Sequence, residues 1–447
     1  MTNNIIEQIS IPEASAVRGN ITLITKIDGA LIEWHSSNPE VISDKAEGKM
    51  AAGVVKRGDK DVCVTLTATI TQEDGSIRKA EFKVNVLKAP KKISDDDFDG
   101  YLFGHFIGEG SADGEQIYFG ISEDGLNFKD MNACKPVLTS NIGECGVRDP
   151  FICRSHEGDR YFLIATDLSI YNRGGWFVNE QGYYDASTTG SSNLVLWESD
   201  DLVNWKEPRL LNVAPKNAGM AWAPEIIYDD ETGEYVVFFA SSIMNPETKY
   251  KAKPNAIYYV ATRDFVHFSD TAIFIDNQTD NAVDGKPREI IDTTVIKVGD
   301  IYYSASKDGD NAEENGGIRI LRTKNLRNPD SWEKVLNLSE LGLDLTGKQI
   351  TRLDNSMLEG PELFRYNKKD WADPNVPEYG IMADQYAVGA GYLPLVTTNL
   401  EDATNATGAW KLLDEKDYSF DKLKKRHGTI LPITKAEKER LIKAFMK

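Results

Sequence analysis

The chain has 447 residues, a formal net charge of −19 and 27% charged residues. A surface this acidic repels phosphate backbones and anionic lipid, which excludes nucleic acid and membranes as partners, and no apolar run is long enough to span a bilayer. A neutral substrate such as a sugar meets no such barrier. The length calls for two domains, one of them large.

The N-terminal stretch MTNNIIEQISIP has neither a basic nor an apolar signal region, so a cytoplasmic location is expected unless a leader has been removed. Four cysteines, Cys63, Cys134, Cys145 and Cys153, show no C-x-x-C spacing. That argues against a zinc site or a disulfide framework and predicts buried, reduced thiols.

Residues 1–90 read as short strands, NITLITKI, ALIEWHSS, DVCVTLTATI and AEFKVNVLK, which alternate apolar and polar residues between Gly, Asp and Asn turns. The pattern predicts a small β-sandwich. Trp34, the SSNP that follows it and the TLTATI strand resemble bacterial immunoglobulin-like modules, for which a spacer or packing role is expected. The segment KAPKKISDDDFDG (88–100) reads as a linker with a solvated charge run.

Residues 98–447 repeat. Ser/Thr-x-Asp-x-x-Asn/His-aromatic occurs at Ser122–Phe128, Ser199–Trp205 and Thr262–Phe268, with looser copies at Thr323–Trp332 and Thr397–Trp410. In each copy a strand ends, short polar side chains can bond the turn backbone, and an aromatic begins the next strand. Strand pairs precede four of the copies. The copy at Ser122 lacks a first strand, which HGTILPI near the C-terminus can supply. The prediction is an all-β chain: a five-bladed β-propeller closed by strands from both ends, behind the sandwich. Thr434 and Glu437 predict a capping box for a terminal helix.

The innermost strand of each blade lines a propeller's funnel. Those strands open on Arg148-Asp149-Pro150, Ala223-Pro224-Glu225, Ile291-Asp292-Thr293, Leu358-Glu359-Gly360-Pro361 and Arg426-His427-Gly428. Four of the five openings carry an acidic residue. Converging like charges resist ionisation, so packing gives no reason for them, whereas glycosidic cleavage needs paired carboxylates. Asp149 alone reads as a turn residue before Pro150. Asp292 follows two isoleucines, where an unpaired carboxylate is costly.

RDPFI (148–152), WAPE (222–225), IDTTVI (291–296) and EGPEL (359–363), in this order and each opening a blade, resemble family 43 glycoside hydrolases, the arabinofuranosidase and β-xylosidase group. RHGTILPI fits the family's closing strand. The resemblance implies an inverting exo-acting hydrolase that releases terminal α-L-arabinofuranosyl, or secondly β-D-xylosyl, residues from an oligosaccharide. It implies Asp149 as general base, Glu359 as general acid and Asp292 as the carboxylate that orients the acid and raises its pKa, with acid and base roughly 6.5–9.5 Å apart.

Around the three carboxylates, Arg148, Asp167, Trp222 and Glu225 are candidate substrate-binding residues. So is Trp176, which lies with Phe177 in the Gly-rich insertion YNRGGWFVNEQGYYDASTTG (171–190). Trp222 also fits core packing. His427 should face the axial channel, where relatives place a water or a cation, often calcium; the chemistry itself needs no cofactor. His35, His105, His156 and His267 read as structural or surface residues. The competing readings are a non-catalytic sugar-binding propeller and a glycosyl transferase or phosphorylase. The intact spacing of three carboxylates argues against the first. The missing Arg/His cluster for phosphate argues against a phosphorylase.

Overall fold

Strict alternation in VCVTLTATIT gives a strand that buries every second residue, and that strand anchors the N-terminal region. A computed structural model describes residues 5–276, 289–308, 317–343, 358–386 and 389–446. The N-terminal strands β1 (Lys26–Ile27), β2 (Ala30–Ser36), β3 (Val62–Thr71) and β4 (Ile77–Val86) form one sheet in sequential order. Of the expected strand NITLITKI the last two residues pair with β2 and the Thr25 carbonyl accepts the Ile32 N–H, while the Ile21 N–H bonds the Gly53 carbonyl. The layer facing this sheet consists of irregular segments with isolated bridges, such as Ile42 to Val55.

The remaining strands are β5 (Phe98–Phe106), β6 (Tyr118–Ser122), β7 (Phe128–Asp130), β8 (Val147–Arg154), β9 (Tyr161–Asp167), β10 (Leu194–Ser199), β11 (Arg209–Leu211), β12 (Trp222–Asp229), β13 (Glu234–Met244), β14 (Lys251–Thr262), β15 (Ala272–Ile275), β16 (Ile290–Val298), β17 (Ile301–Asp308), β18 (Gly317–Thr323), β19 (Glu333–Asn337), β20 (Glu359–Arg365), β21 (Tyr379–Asp384), β22 (Tyr392–Thr397), β23 (Trp410–Leu412) and β24 (Arg426–Thr434). Among the described residues they make five four-stranded antiparallel sheets: β8–β11, β12–β15, β16–β19, β20–β23, and β24-β5-β6-β7. The last sheet pairs the C-terminal strand β24 with β5, as the missing first strand required.

The middle strands of these sheets are buried on both faces, because each sheet is packed between two others. Five apolar cores fill the gaps between successive sheets, and the fifth returns to the first sheet. The first strands follow the same cycle: β8 lies beside β12, β12 beside β16, β16 beside β20, β20 beside β24, and β24 beside β8.

The repeated turns are built as their chemistry predicts. Asp124 Oδ1 accepts the backbone N–H groups of Leu126 and Asn127, Asp201 those of Val203 and Asn204, and Asp264 those of Val266 and His267. Phe128 and Trp410 begin strands, while Trp205 and Phe268 make only isolated bridges back to the start of their turns. The C-terminal helix Lys435–Phe445 has the Thr434–Glu437 capping box, and Glu437 also pairs with Arg154 at 2.7 Å.

Two expectations change. All four cysteines are unpaired, but Cys63 and Cys145 are exposed, because the alternation of β3 turns Cys63 outward and Cys145 sits in a loop. The Asp run of the linker is solvent-exposed yet tied down: Asp95 meets Arg365 and Asp96 meets Lys368, each at 2.9 Å. Among the described residues no helix is long and apolar enough to cross a membrane.

Candidate active site

Each of the five first strands slips in register near its start. The slips fall between Arg148 and Phe151, Trp222 and Glu225, Ile291 and Thr294, Glu359 and Glu362, and Arg426 and Thr429. The two intervening residues form a bulge, a device that re-aims side chains at the rim of a sheet. Its first residue is left-handed in four strands, with φ of 50° at Asp149, 47° at Ala223, 51° at Asp292 and 50° at Gly360. For the non-glycine residues this is strained backbone, the kind that concentrates at functional sites. In the fifth strand the equivalent residue is His427.

Asp149 and Asp292 occupy equivalent positions, but Glu359 lies one residue earlier, level with Arg148, Trp222, Ile291 and Arg426. The reason is steric. A Cβ at Gly360 would lie 2.7 Å from His427 Cγ, so the bulge position of this strand must be glycine and the carboxylate comes from its neighbour. Glu225 is level with Glu362, one step further along the strands. Both are buried, at 4% and 3% exposure, and so lie beneath the layer of the triad.

His427 ties the site together. Its Nδ1 lies 3.3 Å from Asp149 Oδ1 and 4.0 Å from Asp292 Oδ1. The other Asp149 oxygen accepts the Thr166 hydroxyl at 2.9 Å, and Thr166 Oγ1 accepts the Ala223 N–H at 2.7 Å. Asp292 Oδ2 accepts the N–H of Gly360 at 3.1 Å, which links it to the residue beside Glu359. Arg426 donates to Glu359 Oε1 at 3.1 Å and, through Nε, to the buried Asp384. The Glu359 side chain is 25% exposed against 16% for Asp149 and 11% for Asp292, so it is the most open of the three.

These contacts drive the carboxyl pKa values apart. Burial pushes Glu359 up, the Asp292 and Asp384 charges add to it, and it reaches about 8 despite Arg426 and Arg148. Burial also acts to raise Asp149, but the His427 hydrogen bond and charge, with Arg148 and Thr166, hold it below the usual carboxylate range. Asp292 is raised by burial and by Asp149, with His427 opposing. Burial works to lower His427, yet the Asp149 bond and the surrounding carboxylates lift it to about 9. At neutral pH the site therefore holds a protonated Glu359, an ionised Asp149 and an imidazolium between Asp149 and Asp292. A protonated acid set against an ionised base is the pairing that acid–base hydrolysis needs.

The other predicted residues divide. Arg148 lies beside the site: its Nη1 donates to Glu109 at 3.2 Å and Glu115 at 2.8 Å, with its guanidinium between the Phe106 ring at 4.6 Å and the Trp176 ring at 5.3 Å. Trp176 reaches the site, its Nε1 donating to Glu109 at 3.2 Å and its ring meeting Trp222 edge-on at 6.5 Å. Trp222 packs partly into an apolar core, with its Nε1 buried and without a partner among the described residues. Asp167 is not brought to the triad; its carboxylate accepts the Glu144 N–H at 2.8 Å and lies against Gly143. His105 contacts the Phe106 carbonyl, His156 stacks on Tyr228, and His267 pairs with Asp264, all structural arrangements.

Sequence reasoning gave no role to Glu109, Glu115, Thr166, Glu362, Asp384 and Arg426. Two of these had a signal: Arg426 directly precedes His427, and Glu362 is the second acid of EGPEL. Among the described residues no group of three or more His, Cys, Asp or Glu side chains is placed to hold a metal ion. His427 Nδ1 faces the carboxylates of Asp149 and Asp292. A cleft of about 670 Å³ between the N-terminal region and β10, β11 and Phe265 contains none of the three carboxylates.

Comparison with known proteins gives the chain a family. A family model for proteins related to glycosyl hydrolase family 43, described as a probable glycosyl hydrolase domain, matches residues 96–439. The chain belongs to this glycosyl hydrolase family. The expectation of an O-glycosyl hydrolase is met at that level. Residues 5–89 match a second model, described as an atrophied bacterial Ig domain. An alpha-L-arabinofuranosidase from Bifidobacterium longum subsp. longum is 31% identical over 437 residues, covering 89% of this chain and 38% of that protein. The chain thus spans less than two-fifths of the curated relative it matches. Among solved structures, an endo-1,4-beta-xylanase from Bacteroides thetaiotaomicron aligns with a TM-score of 0.43 and 12% identity, covering 66% of this chain and 85% of that one. An alpha-L-arabinofuranosidase from Lactobacillus brevis gives 0.38 and 16%, covering 67% and 92%.

Proposed function

We propose that this family-43-related hydrolase removes a terminal non-reducing sugar with inversion of configuration, α-L-arabinofuranosyl first and β-D-xylosyl second. The observation that carries the reading is the convergence of Asp149, Asp292 and Glu359 through His427 and the Gly360 N–H, with Glu359 raised to about 8 and Asp149 held below its usual range. Asp149 takes a proton from water as the water oxygen bonds the anomeric carbon. Glu359 gives its proton to the departing glycosidic oxygen as that bond breaks. Exchange with solvent resets both groups. Thr166 and His427 fix the rotamer of Asp149, and Asp292 keeps the acid protonated. Trp176, Trp222 and Arg148 line the sugar pocket, with Glu225 beneath it. The arabinofuranosyl preference draws on the Bifidobacterium relative.

The reading includes a five-bladed propeller at 98–447 behind an immunoglobulin-like sandwich at 1–90. The cycle of five sheets with five cores between them supports the first, and the second family match supports the other. Proton NMR of the sugar released from nitrophenyl α-L-arabinofuranoside and β-D-xyloside tests the function. The β-arabinose anomer should appear first. Retained configuration would refute inversion, and cleavage of neither glycoside would refute the substrate class.

A further inference from the structure

The insertion at 171–190 carries large apolar side chains outside the apolar cores and the triad, with the Lys251 ammonium 4.5 Å from the Tyr183 ring on one side. Phe177 is 57% exposed, Val178 61%, Tyr184 54% and Tyr183 38%. Soluble proteins seldom leave large apolar side chains contiguous at the surface without a ligand for them. These four are held out by a built hairpin. Asn179 N–H bonds the Tyr183 carbonyl and Asp185 N–H the Phe177 carbonyl, both at 2.8 Å, while Asn179 Oδ1 accepts two further N–H groups inside the turn.

The base of the hairpin is equally fixed. Glu115 accepts the Ser169 hydroxyl and the N–H groups of Ile170 and Tyr171, each at 2.9 Å, and Arg173 pairs with Glu144 through two nitrogens. The patch is also continuous with the site. Trp176 stands between them, 5.2 Å from the Tyr184 ring, 6.5 Å from Trp222 and over the Arg148 guanidinium next to Asp149. Exposure rises along this path, from the partly buried Trp222 through Trp176 at 38% to Phe177.

We infer that the hairpin is a stacking platform for the leaving-group side of the substrate, and that this partner is an oligosaccharide of β-linked pyranose rings. The inference rests on the hydrolase reading above. A leaving group that runs from the triad past Trp176 meets Phe177, Tyr183 and Tyr184 next. Pyranoses with equatorial hydroxyls present flat C–H faces that aromatic rings cover, and the tyrosine hydroxyls can bond the ring edges. The chain's charge of −19 favours a neutral glycan over an acidic one on the same surface.

Two substrates separate the platform from the chemistry. α-L-Arabinofuranosyl fluoride has a leaving group too small to reach the hairpin, whereas an arabinofuranosyl-substituted xylo-oligosaccharide does reach it. For Phe177→Ala and Tyr183→Ala, kcat/KM on the oligosaccharide should fall about tenfold each, while the fluoride rate stays within about twofold of wild type. Phe177→Trp, which keeps a ring, should retain most of the oligosaccharide rate. Equal effects on both substrates, no effect on either, or a wild type that cleaves only the fluoride would overturn the inference. A change in oligomeric state with unchanged kinetics would instead assign the patch to a second copy of the chain and also overturn it. A wild type that cleaves neither substrate would refute the arabinofuranosyl reading on which the inference rests.

Discussion

At the scale of single residues, the site depends on which charges see which. Glu359 faces Asp292, Asp384, Arg426 and Arg148, and the two aspartates help burial to keep it protonated up to about pH 8. A raised general acid works below its pKa, so kcat/KM should fall as pH rises through about 8 in the wild type. Asp292→Asn removes one of the charges that hold the acid up while leaving an oxygen for the Gly360 N–H. The alkaline limb of the pH–kcat/KM profile should move down by about one unit. A limb that stays in place or moves up would contradict the role given to Asp292. His427 titrates at about 9, above Glu359, so the limb reports the acid first.

At the scale of elements, the deciding feature is the bulge at the start of each first strand. The sequence reading found those starts because a strand pair precedes the repeated turns, with Asp-Pro, Ala-Pro and Gly-Pro marking three of the five, and because the Asp/Asn turns that divide the sheets rely on local hydrogen bonds that a sequence can express. It placed Glu359 in register with Asp149 and Asp292. The one-residue offset was illegible, since it depends on the His427 ring filling the space above Gly360, a contact between strands 67 residues apart. The Glu109–Arg148–Glu115 network was hidden for a similar reason: two of its members sit in a loop with no periodic pattern. Gly360→Ala tests the offset. The new methyl meets His427 and the backbone is left-handed, so the imidazole must shift away from Asp149. The expected outcome is a loss of kcat of at least about tenfold with the far-ultraviolet circular dichroism unchanged. Wild-type kcat would show that His427 does not position the base.

At the scale of the whole molecule, the fold brings together residues that lie far apart in the chain, and the N-terminal sheet is fastened outside that assembly. Arg263, buried at the junction, donates to the carbonyls of Ile21, Ala51 and Ala52 across it, and Arg57 pairs with Asp159 at 2.7 Å. The sheet cycle was legible because each unit repeats the same turn and because one unit visibly lacked a strand. The site's charge pattern was not, because it arises only when Asp149, Asp292, Glu359 and His427 arrive from four different sheets. The central claim is that Asp149 and Glu359 act as base and acid on one glycosidic bond. Its most direct test is the initial rate of nitrophenol release from nitrophenyl α-L-arabinofuranoside by wild type, Asp149→Ala and Glu359→Gln, with folding of each verified. Asp149→Ala should lose about 10²–10⁴-fold in kcat, and Glu359→Gln should lose less on this good leaving group, together with the alkaline limb near pH 8. An active wild type matched by either folded variant would contradict the account.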